Sequence, residues 1–280
     1  MTINRENAES RSALIAEITG YLGGAFILIS LVVFVGERFD ELDRVIRSGL
    51  FLLLSVILFA ISSWIGTASS VHARITGVLS LGSSATMTIS IATYFEMYRA
   101  PVLAFAVGTL MTTFFFYRNR TELLHIGTAG FLFITSIMAA ATIVNQDIDA
   151  LTMPVAASIW LGLASIWIYL AFNRKIQVVL GYVLGSGLLF LASQVFFNQD
   201  YRLISYLVAA SSVYALARIY LIEKAWPLLV APLVIANISI AELVSETLGG
   251  SLGAVSGLFL AGILLILTSL YVIRSLNVKK

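Results

Sequence analysis

The chain has 280 residues, of which 59% are hydrophobic and only 11% are charged. About 25% of the residues of a soluble domain are charged, so this chain has too few charges to cover a surface that faces water. The sequence therefore predicts an integral membrane protein. The absence of cysteine excludes disulfides, a thiolate nucleophile and a Cys-ligated metal. The sequence also lacks the basic tracts with interleaved aromatic residues that indicate nucleic-acid binding.

Ten apolar runs follow one another, each close to the length of about 20 residues that a membrane-spanning helix needs. A polar segment, residues 1–17, precedes them, and a basic tail, residues 274–280, follows. The first run is too long for the apolar part of a cleavable signal peptide, so we expect it to stay as an anchor. Gly66 marks the end of the second span, and Pro101 suits the first turn of the fourth. The apolar runs are residues 18–36, 48–73, 75–95, 100–117, 123–144, 150–172, 176–197, 203–222, 225–241 and 247–273, and the spanning part of the second run is predicted to end near Gly66.

The distribution of Lys and Arg predicts how the chain is oriented in the membrane. Twelve of the 17 basic residues lie on the side that holds the N-terminus, the even-numbered loops and the C-terminus. Because basic residues are in excess on the cytoplasmic side, both termini are predicted to be cytoplasmic. The predicted fold is all-α, a single transmembrane domain of residues 18–273 with ten helices in five successive hairpins. A nine-span alternative, with residues 225–241 re-entrant or peripheral, puts the basic tail outside and is disfavoured.

Glycine pairs four residues apart occur at the ends of several runs. Gly20/Gly24 and Gly181/Gly185 open the first and seventh spans with the similar sequences GYLGG and GYVLG. Similar turns follow both, which indicates a parallel, hairpin-sized repeat, although Gly-containing apolar helices also resemble one another by chance. Small residues let helix backbones approach closely. We expect these pairs to pack helices within the chain, with a homo-oligomer or a membrane-protein partner as the alternative. Further pairs are Gly249/Gly253 and Gly253/Gly257.

The hairpin of residues 20–66 has several distinctive features. It opens with YLGG at residues 21–24, turns at FDEL in residues 39–42, and returns through Arg47 to Trp64 and Gly66. In these features it resembles a family of predicted bacterial inner-membrane proteins that is catalogued as a domain of unknown function. The resemblance implies a bacterial inner-membrane location and the hairpin topology. It implies no activity.

The third span is rich in hydroxyl groups. Ser80, Ser84 and Thr88 recur every four residues and therefore share one face of a helix. A polar stripe in a membrane helix can line a solute pathway. The alternative, which the sequence favours, is that these hydroxyls hydrogen-bond to their own backbone or to a neighbouring helix.

The ninth span combines two prolines with polar residues. Pro227 and Pro232 lie in its first half, and Asn237, Glu242 and Glu246 follow. Proline removes a backbone donor, so we expect a bend near Pro232, and interrupted helices often form transporter binding sites. The two glutamates are four residues apart and share a face if the helix continues, where they could accept a cation or a proton. The favoured alternative is that both are solvated at the outer boundary of the membrane.

Three function classes are compatible with these features. The first is a small-molecule or lipid transporter, which ten spans with both ends inside suggest by their resemblance in outline to the drug/metabolite transporter superfamily. That superfamily has an inverted repeat, whereas the repeat indicated here is parallel. The second is a non-catalytic scaffold or accessory subunit of a membrane complex. An intramembrane enzyme is least favoured, because no catalytic, cofactor-binding or metal-binding motif is present. The predicted polar pathway comprises Ser80, Ser84, Thr88, Asn237, Glu242 and Glu246.

Overall fold

The computed structural model describes residues 42–67, 69–95, 101–144, 152–198 and 201–249, with a few positions between 255 and 266. The described residues are helical apart from turns and short connections. Eight long helices follow one another in this part of the chain. They are α1 Arg44–Ile65, α2 Ser70–Tyr94, α3 Pro101–Asn119, α4 Glu122–Ile143, α5 Thr152–Phe172, α6 Val178–Asn198, α7 Arg202–Glu223 and α8 Pro227–Leu248.

All eight helices are long and apolar enough to cross a membrane. They correspond to the second to ninth predicted spans, which confirms an all-α, polytopic membrane protein at this coarser level. The first predicted span, nearly all of the tenth, the polar segment 1–17 and the basic tail 274–280 lie outside the described residues. The total of ten spans and the orientation of the termini therefore stay predictions.

Local sequence signals set several helix ends. Asp43 caps α1, because its side chain accepts a hydrogen bond of 2.7 Å from the backbone N–H of Val45. Gly66 ends this helix with a φ of 66°, a left-handed conformation that glycine adopts without a steric penalty. α3 begins at Pro101. Backbone N–H groups in the first turn of a helix have no acceptor within the helix, so proline, which lacks this group, is tolerated there. The predicted end of the second span and the start of the fourth are thus confirmed.

α8 is longer than the sequence predicted. The predicted span ended at Ala241 because Glu242 follows it, but the helix continues through Pro232 and Glu242 to Leu248, a total of 22 residues. The predicted boundary is therefore wrong. Glutamate is a good helix former, so a single charge does not end a helix whose backbone is otherwise favourable. At this length α8 can cross a membrane, which argues against a re-entrant segment.

The described residues form two compact units, one up to Leu132 and one from Phe133 onward. In the first unit α2 packs against both α1 and α3. Part of α4 completes this unit, where the ring of Phe116 stacks on the fully buried His125 with centroids 4.9 Å apart. Gly108 of α3 allows close packing, because a Cβ there would lie 2.2 Å from Oγ1 of Thr88.

The second unit has an apolar core that runs along α5 and α6 and extends to α7 and α8. Small and large residues alternate in it, so the helices lie close together while aromatic and aliphatic side chains fill the gaps. One cluster consists of Ala164, Ile168, Ala171, Tyr182, Leu189, Ala209, Leu216, Leu228 and Ile235. The other consists of Ala140, Ala156, Ala157, Trp160, Ala192 and Phe196.

Glycines of α6 let this helix approach α5. A Cβ at Gly185 would lie 2.7 Å from Cγ1 of Ile168 and 3.2 Å from the carbonyl oxygen of Ala164. A Cβ at Gly181 would lie 2.8 Å from the Cβ of Ala171. The Gly181/Gly185 pair therefore contacts a helix of the same chain. Each of the other predicted glycine pairs has at least one member outside the described residues.

The hairpins α1–α2 and α5–α6 share a pattern of small buried residues at intervals of seven. The step from one helix to the next is 14 residues in both hairpins, from Ser62 to Thr76 and from Ala171 to Gly185. The positions are Ser48, Ser55, Ser62, Thr76, Ser83 and Ser90 in the first hairpin, and Ala157, Ala164, Ala171, Gly185 and Ala192 in the second. The predicted repeat of the first and seventh spans is not tested, because the first span lies outside the described residues.

Trp160 links α5 to the second half of α4. Its Nε1 donates a 2.7 Å hydrogen bond to Oγ of Ser136, and its ring stacks on Phe133 with centroids 4.6 Å apart.

We expect Trp160→Phe to lower the free energy of unfolding by about 1–2 kcal/mol, because it removes this bond and part of the stack. Unfolding in detergent micelles measures the change. Trp64→Phe is the matched control, since Trp64 is 87% exposed, and an equal loss in both variants would contradict the expectation.

Candidate functional site

Serine side chains join α1 to α2 along the length of the hairpin. The hydroxyl of Ser55 donates to the carbonyl of Ser83 at 2.8 Å, and the hydroxyl of Ser83 donates to the carbonyl of Ser55 at 2.9 Å. This reciprocal pattern satisfies both buried hydroxyls without water. Ser48 and Ser90 repeat this reciprocal pattern, and the hydroxyl oxygens of Ser62 and Ser80 lie 2.6 Å apart. We call these three pairs of residues the serine seam. They are Ser48 with Ser90, Ser55 with Ser83, and Ser62 with Ser80.

The three hydroxyl residues that were predicted to line a pathway all lie on α2 and are buried. Oγ of Ser80 lies 2.6 Å from Oγ of Ser62 in the serine seam. Oγ of Ser84 donates to the carbonyl of Ser80 at 3.0 Å, and Oγ1 of Thr88 donates to the carbonyl of Ser84 at 2.9 Å. Each hydroxyl therefore has a partner within the first unit. These are the contacts that helix packing requires, and they leave the pathway prediction for these residues to experiment.

The sequence prediction identified the hydroxyls of α2 but missed their partners on α1. The missed signal is a serine at every seventh residue of the otherwise apolar helix α1. Hydroxyl residues occur at the same spacing on the next helix, α2. A seven-residue spacing places side chains along one helix seam. The residues concerned are Ser48, Ser55 and Ser62 on α1, and Thr76, Ser83 and Ser90 on α2.

A second polar group of residues lies where the end of α6, the start of α7 and the end of α8 meet. Arg202 forms an ion pair with Glu246, and the hydroxyl of Tyr206 donates a 3.3 Å hydrogen bond to the same carboxylate. The charge of Glu246 is thus balanced by groups on α7. We call Gln194, Arg202, Tyr206, Glu242 and Glu246 the α8 polar cluster.

Glu242 is the member of the α8 polar cluster whose charge has no counterpart. The side chains of Gln194 on α6 and Tyr206 on α7 lie near its carboxyl group. The geometry is not that of a formed hydrogen bond, because Oε2 of Glu242 and Nε2 of Gln194 are both buried and without a partner in the described part of the chain. Glu242 precedes the end of α8 by six residues, or about 9 Å along the helix axis. It therefore lies inside a helix that is long and apolar enough to cross a membrane.

Two more polar side chains of α8 have unsatisfied atoms. Asn237 is buried, and its Nδ2 donates to the carbonyl of Leu233 at 2.7 Å. Its Oδ1 and the Oγ of Ser239 are buried and have no hydrogen-bond partner among the described residues. Ser239 is three residues before Glu242 and shares its helix face, whereas Asn237 lies on a different face.

The structure thus divides the six predicted pathway residues between the two units. Ser80, Ser84 and Thr88 belong to the first unit, and Asn237, Glu242 and Glu246 to the second. The contributions of Gln194, Arg202 and Tyr206 were not predicted, because they lie on other helices. In the parts of the chain that the structure describes, no group of three or more His, Asp or Glu side chains is placed to hold a metal ion.

Comparison of the chain with protein-family models, with curated proteins and with solved structures gives no match. The family resemblance of residues 20–66 therefore stays a prediction. What the fold and the site define is a class of protein. The chain is a polytopic membrane protein in which one spanning helix carries a partly buried carboxyl group without a cationic partner among the described residues.

Proposed function

We propose that the protein is a membrane transporter for a small solute, and that the α8 polar cluster lies on the solute's route. The observation that carries this proposal is the carboxyl group of Glu242 within a spanning helix. Ionisable groups inside a membrane are expensive, and they commonly mark the pathways of solutes and ions. The unpaired polar atoms of Gln194, Asn237 and Ser239 nearby support the proposal, because a solute or water can satisfy them.

The proposed transporter has ten spans with both termini in the cytoplasm of a bacterium, and it resides in the inner membrane. The excess of basic residues on one side supports this orientation. The α8 polar cluster then lies towards the outer face, because α6 runs outward in this arrangement and the cluster contains the end of that helix. The family resemblance of residues 20–66 supports the bacterial location.

The second candidate function is a non-catalytic scaffold or accessory subunit of a membrane complex. The serine seam supports it, because hydroxyls that are fully paired within the hairpin make a rigid element without a route for water. The apolar outer face of α1, which includes Leu53 and Val56, is exposed and faces lipid or a membrane-protein partner. An aqueous route through the second unit separates the two functions.

Cysteine accessibility tests for this route, because the natural chain has no cysteine. Single cysteines are placed at Asn237 and Ser239, and the protein is treated with a charged, membrane-impermeant thiol reagent. We expect both positions to react, because only a thiol in contact with water ionises and meets the reagent. Val234→Cys is the matched control on α8, since Val234 is exposed on the apolar surface and should react at least about tenfold more slowly.

The reagent is applied to intact cells and to inverted membrane vesicles, so that a route open to either side is found. Protection of Asn237→Cys and Ser239→Cys from both sides would refute the transporter and favour the scaffold. Single cysteines at Ser80, Ser84 and Thr88 test the first unit in the same way. Reaction at any of these three would extend the route to α2, in agreement with the original pathway prediction.

A further inference from the structure

Glu242 has no ion-pair partner among the described residues, because the cationic member of the α8 polar cluster pairs with another carboxylate. Arg202 forms its ion pair with Glu246, and Tyr206 donates to that same carboxylate. The group that interacts with Glu242 is the uncharged amide of Gln194. A carboxylate with a buried, unpaired oxygen is disfavoured in apolar surroundings. Neutralisation of Glu242 therefore requires a cation or a proton from outside the cluster.

The chemistry of Gln194 is compatible with a protonated Glu242. A primary amide offers N–H donors and a carbonyl acceptor, and a neutral carboxyl group offers one O–H donor and one carbonyl acceptor. The two groups can therefore form a pair of hydrogen bonds, one in each direction. A carboxylate has acceptors only, so it can accept from the amide N–H but can donate nothing to the amide carbonyl. A small rotation of the side chains that brings Nε2 of Gln194 and Oε2 of Glu242 together would complete the pair.

The surroundings of Glu242 do not favour a metal cation. Such an ion requires about six oxygen ligands, whereas the same face of α8 provides Ser239 and, one turn further on, the already paired Glu246. The amide of Asn237 lies on another face of the helix. In the described residues no set of acidic or His side chains is arranged as a metal site.

We propose that Glu242 is a proton-binding site, and that its protonation and deprotonation accompany solute movement. The coupling to solute rests on the proposed function, whereas the proton site does not. Among the described residues, Tyr206 on α7 lies near Glu242. Glu246 follows one turn later on α8 and is paired with Arg202 of α7. α6 contributes the uncharged Gln194. Glu246 keeps Arg202 occupied, and it is in this sense a positioning residue for the proton site.

A hydrophobic carbodiimide tests the site without knowledge of the solute. Dicyclohexylcarbodiimide adds to a protonated carboxyl group in apolar surroundings, and rearrangement of the adduct gives a stable N-acylurea without a leaving group. The full-length protein in its membrane is treated at neutral pH, and modified peptides are quantified by mass spectrometry. We expect Glu242 to react at least about tenfold faster than the ion-paired Glu246, and its rate to fall as the pH rises. Glu242→Gln should abolish this adduct.

Equal reaction of the two glutamates, or an unmodified Glu242 at neutral pH, would overturn the proton site. The reaction is repeated with Na⁺ replacing choline at constant pH and ionic strength. A rate that falls with Na⁺ would also overturn the proposal, in favour of a metal cation, and an unchanged rate supports it. Thiol protection of Asn237→Cys together with rapid modification of Glu242 would refute transport alone, so the two proposals fail separately.

Discussion

Replacement of Gly185 by isoleucine is expected to prevent the second unit from folding stably. The added Cβ alone would lie 3.2 Å from the carbonyl oxygen of Ala164 and 2.7 Å from Cγ1 of Ile168. A backbone oxygen cannot turn away as the end of a side chain can, so α5 and α6 must separate. The remaining atoms of isoleucine then enter space that core residues occupy. We expect a loss of about 3 kcal/mol or more in the free energy of unfolding.

The yield of monodisperse protein in size-exclusion chromatography and the unfolding midpoint in detergent measure this effect. Gly187→Ile is the matched control, because a Cβ built at Gly187 meets open space among the described residues. Apart from the backbone of its own helix and its chain neighbours, none of their atoms lies within 4 Å of it. This control should change stability by no more than about 0.5 kcal/mol. Gly185→Ala should fall between the two. If both isoleucine variants lose stability equally, the cause is not the contact between α5 and α6.

Ser55→Leu is expected to separate α1 from α2 at the centre of the serine seam. Ser55 is 1% exposed, so a leucine finds no space there, and the 2.8 Å hydrogen bond to the carbonyl of Ser83 is lost. Together these effects should lower the free energy of unfolding by about 2–3 kcal/mol. Ser55→Ala removes the hydrogen bond without adding volume, and it should lower the stability by about 1 kcal/mol or less.

Ser63→Leu provides the control for this substitution on the same helix. Ser63 is exposed on the apolar surface of α1, where a leucine meets lipid or detergent. We expect the control to be neutral or slightly stabilising in thermal unfolding assays. Unfolding temperatures that fall equally for Ser55→Leu and Ser63→Leu would mean that the serine seam does not hold the hairpin together.

The positions of the helices could be predicted from the sequence because each depends on a local property. An apolar run of sufficient length predicts a spanning helix, and Gly66 and Pro101 mark helix ends through their own backbone preferences. The same reasoning gave a wrong end for the ninth span, at Ala241. The sequence places the end of a span at the charged residue, whereas α8 continues through Glu242 to Leu248 because glutamate is a good helix former.

The contacts of the candidate site could not be predicted, because they join helices that are distant in sequence. Periodicity showed that Ser80, Ser84 and Thr88 share a face of α2, but it cannot identify the helix that covers this face. The interaction of Glu242 with Gln194 depends likewise on how α6 packs against α8. Glu242 and Glu246 are predicted to act alike but differ in the structure, because Arg202 forms an ion pair with Glu246.

Ser48, Ser55 and Ser62 of the serine seam are spaced seven residues apart, and this spacing has a consequence for motion. Seven residues fall about 20° short of two full turns of a straight α-helix, so serines that stay in contact require α1 and α2 to wind around each other in a left-handed sense. In such a pair, sliding one helix by a single residue would break all the reciprocal serine bonds at once. The next matching register is a full heptad, or about 10 Å, away. The α1–α2 hairpin should therefore move only as one rigid body.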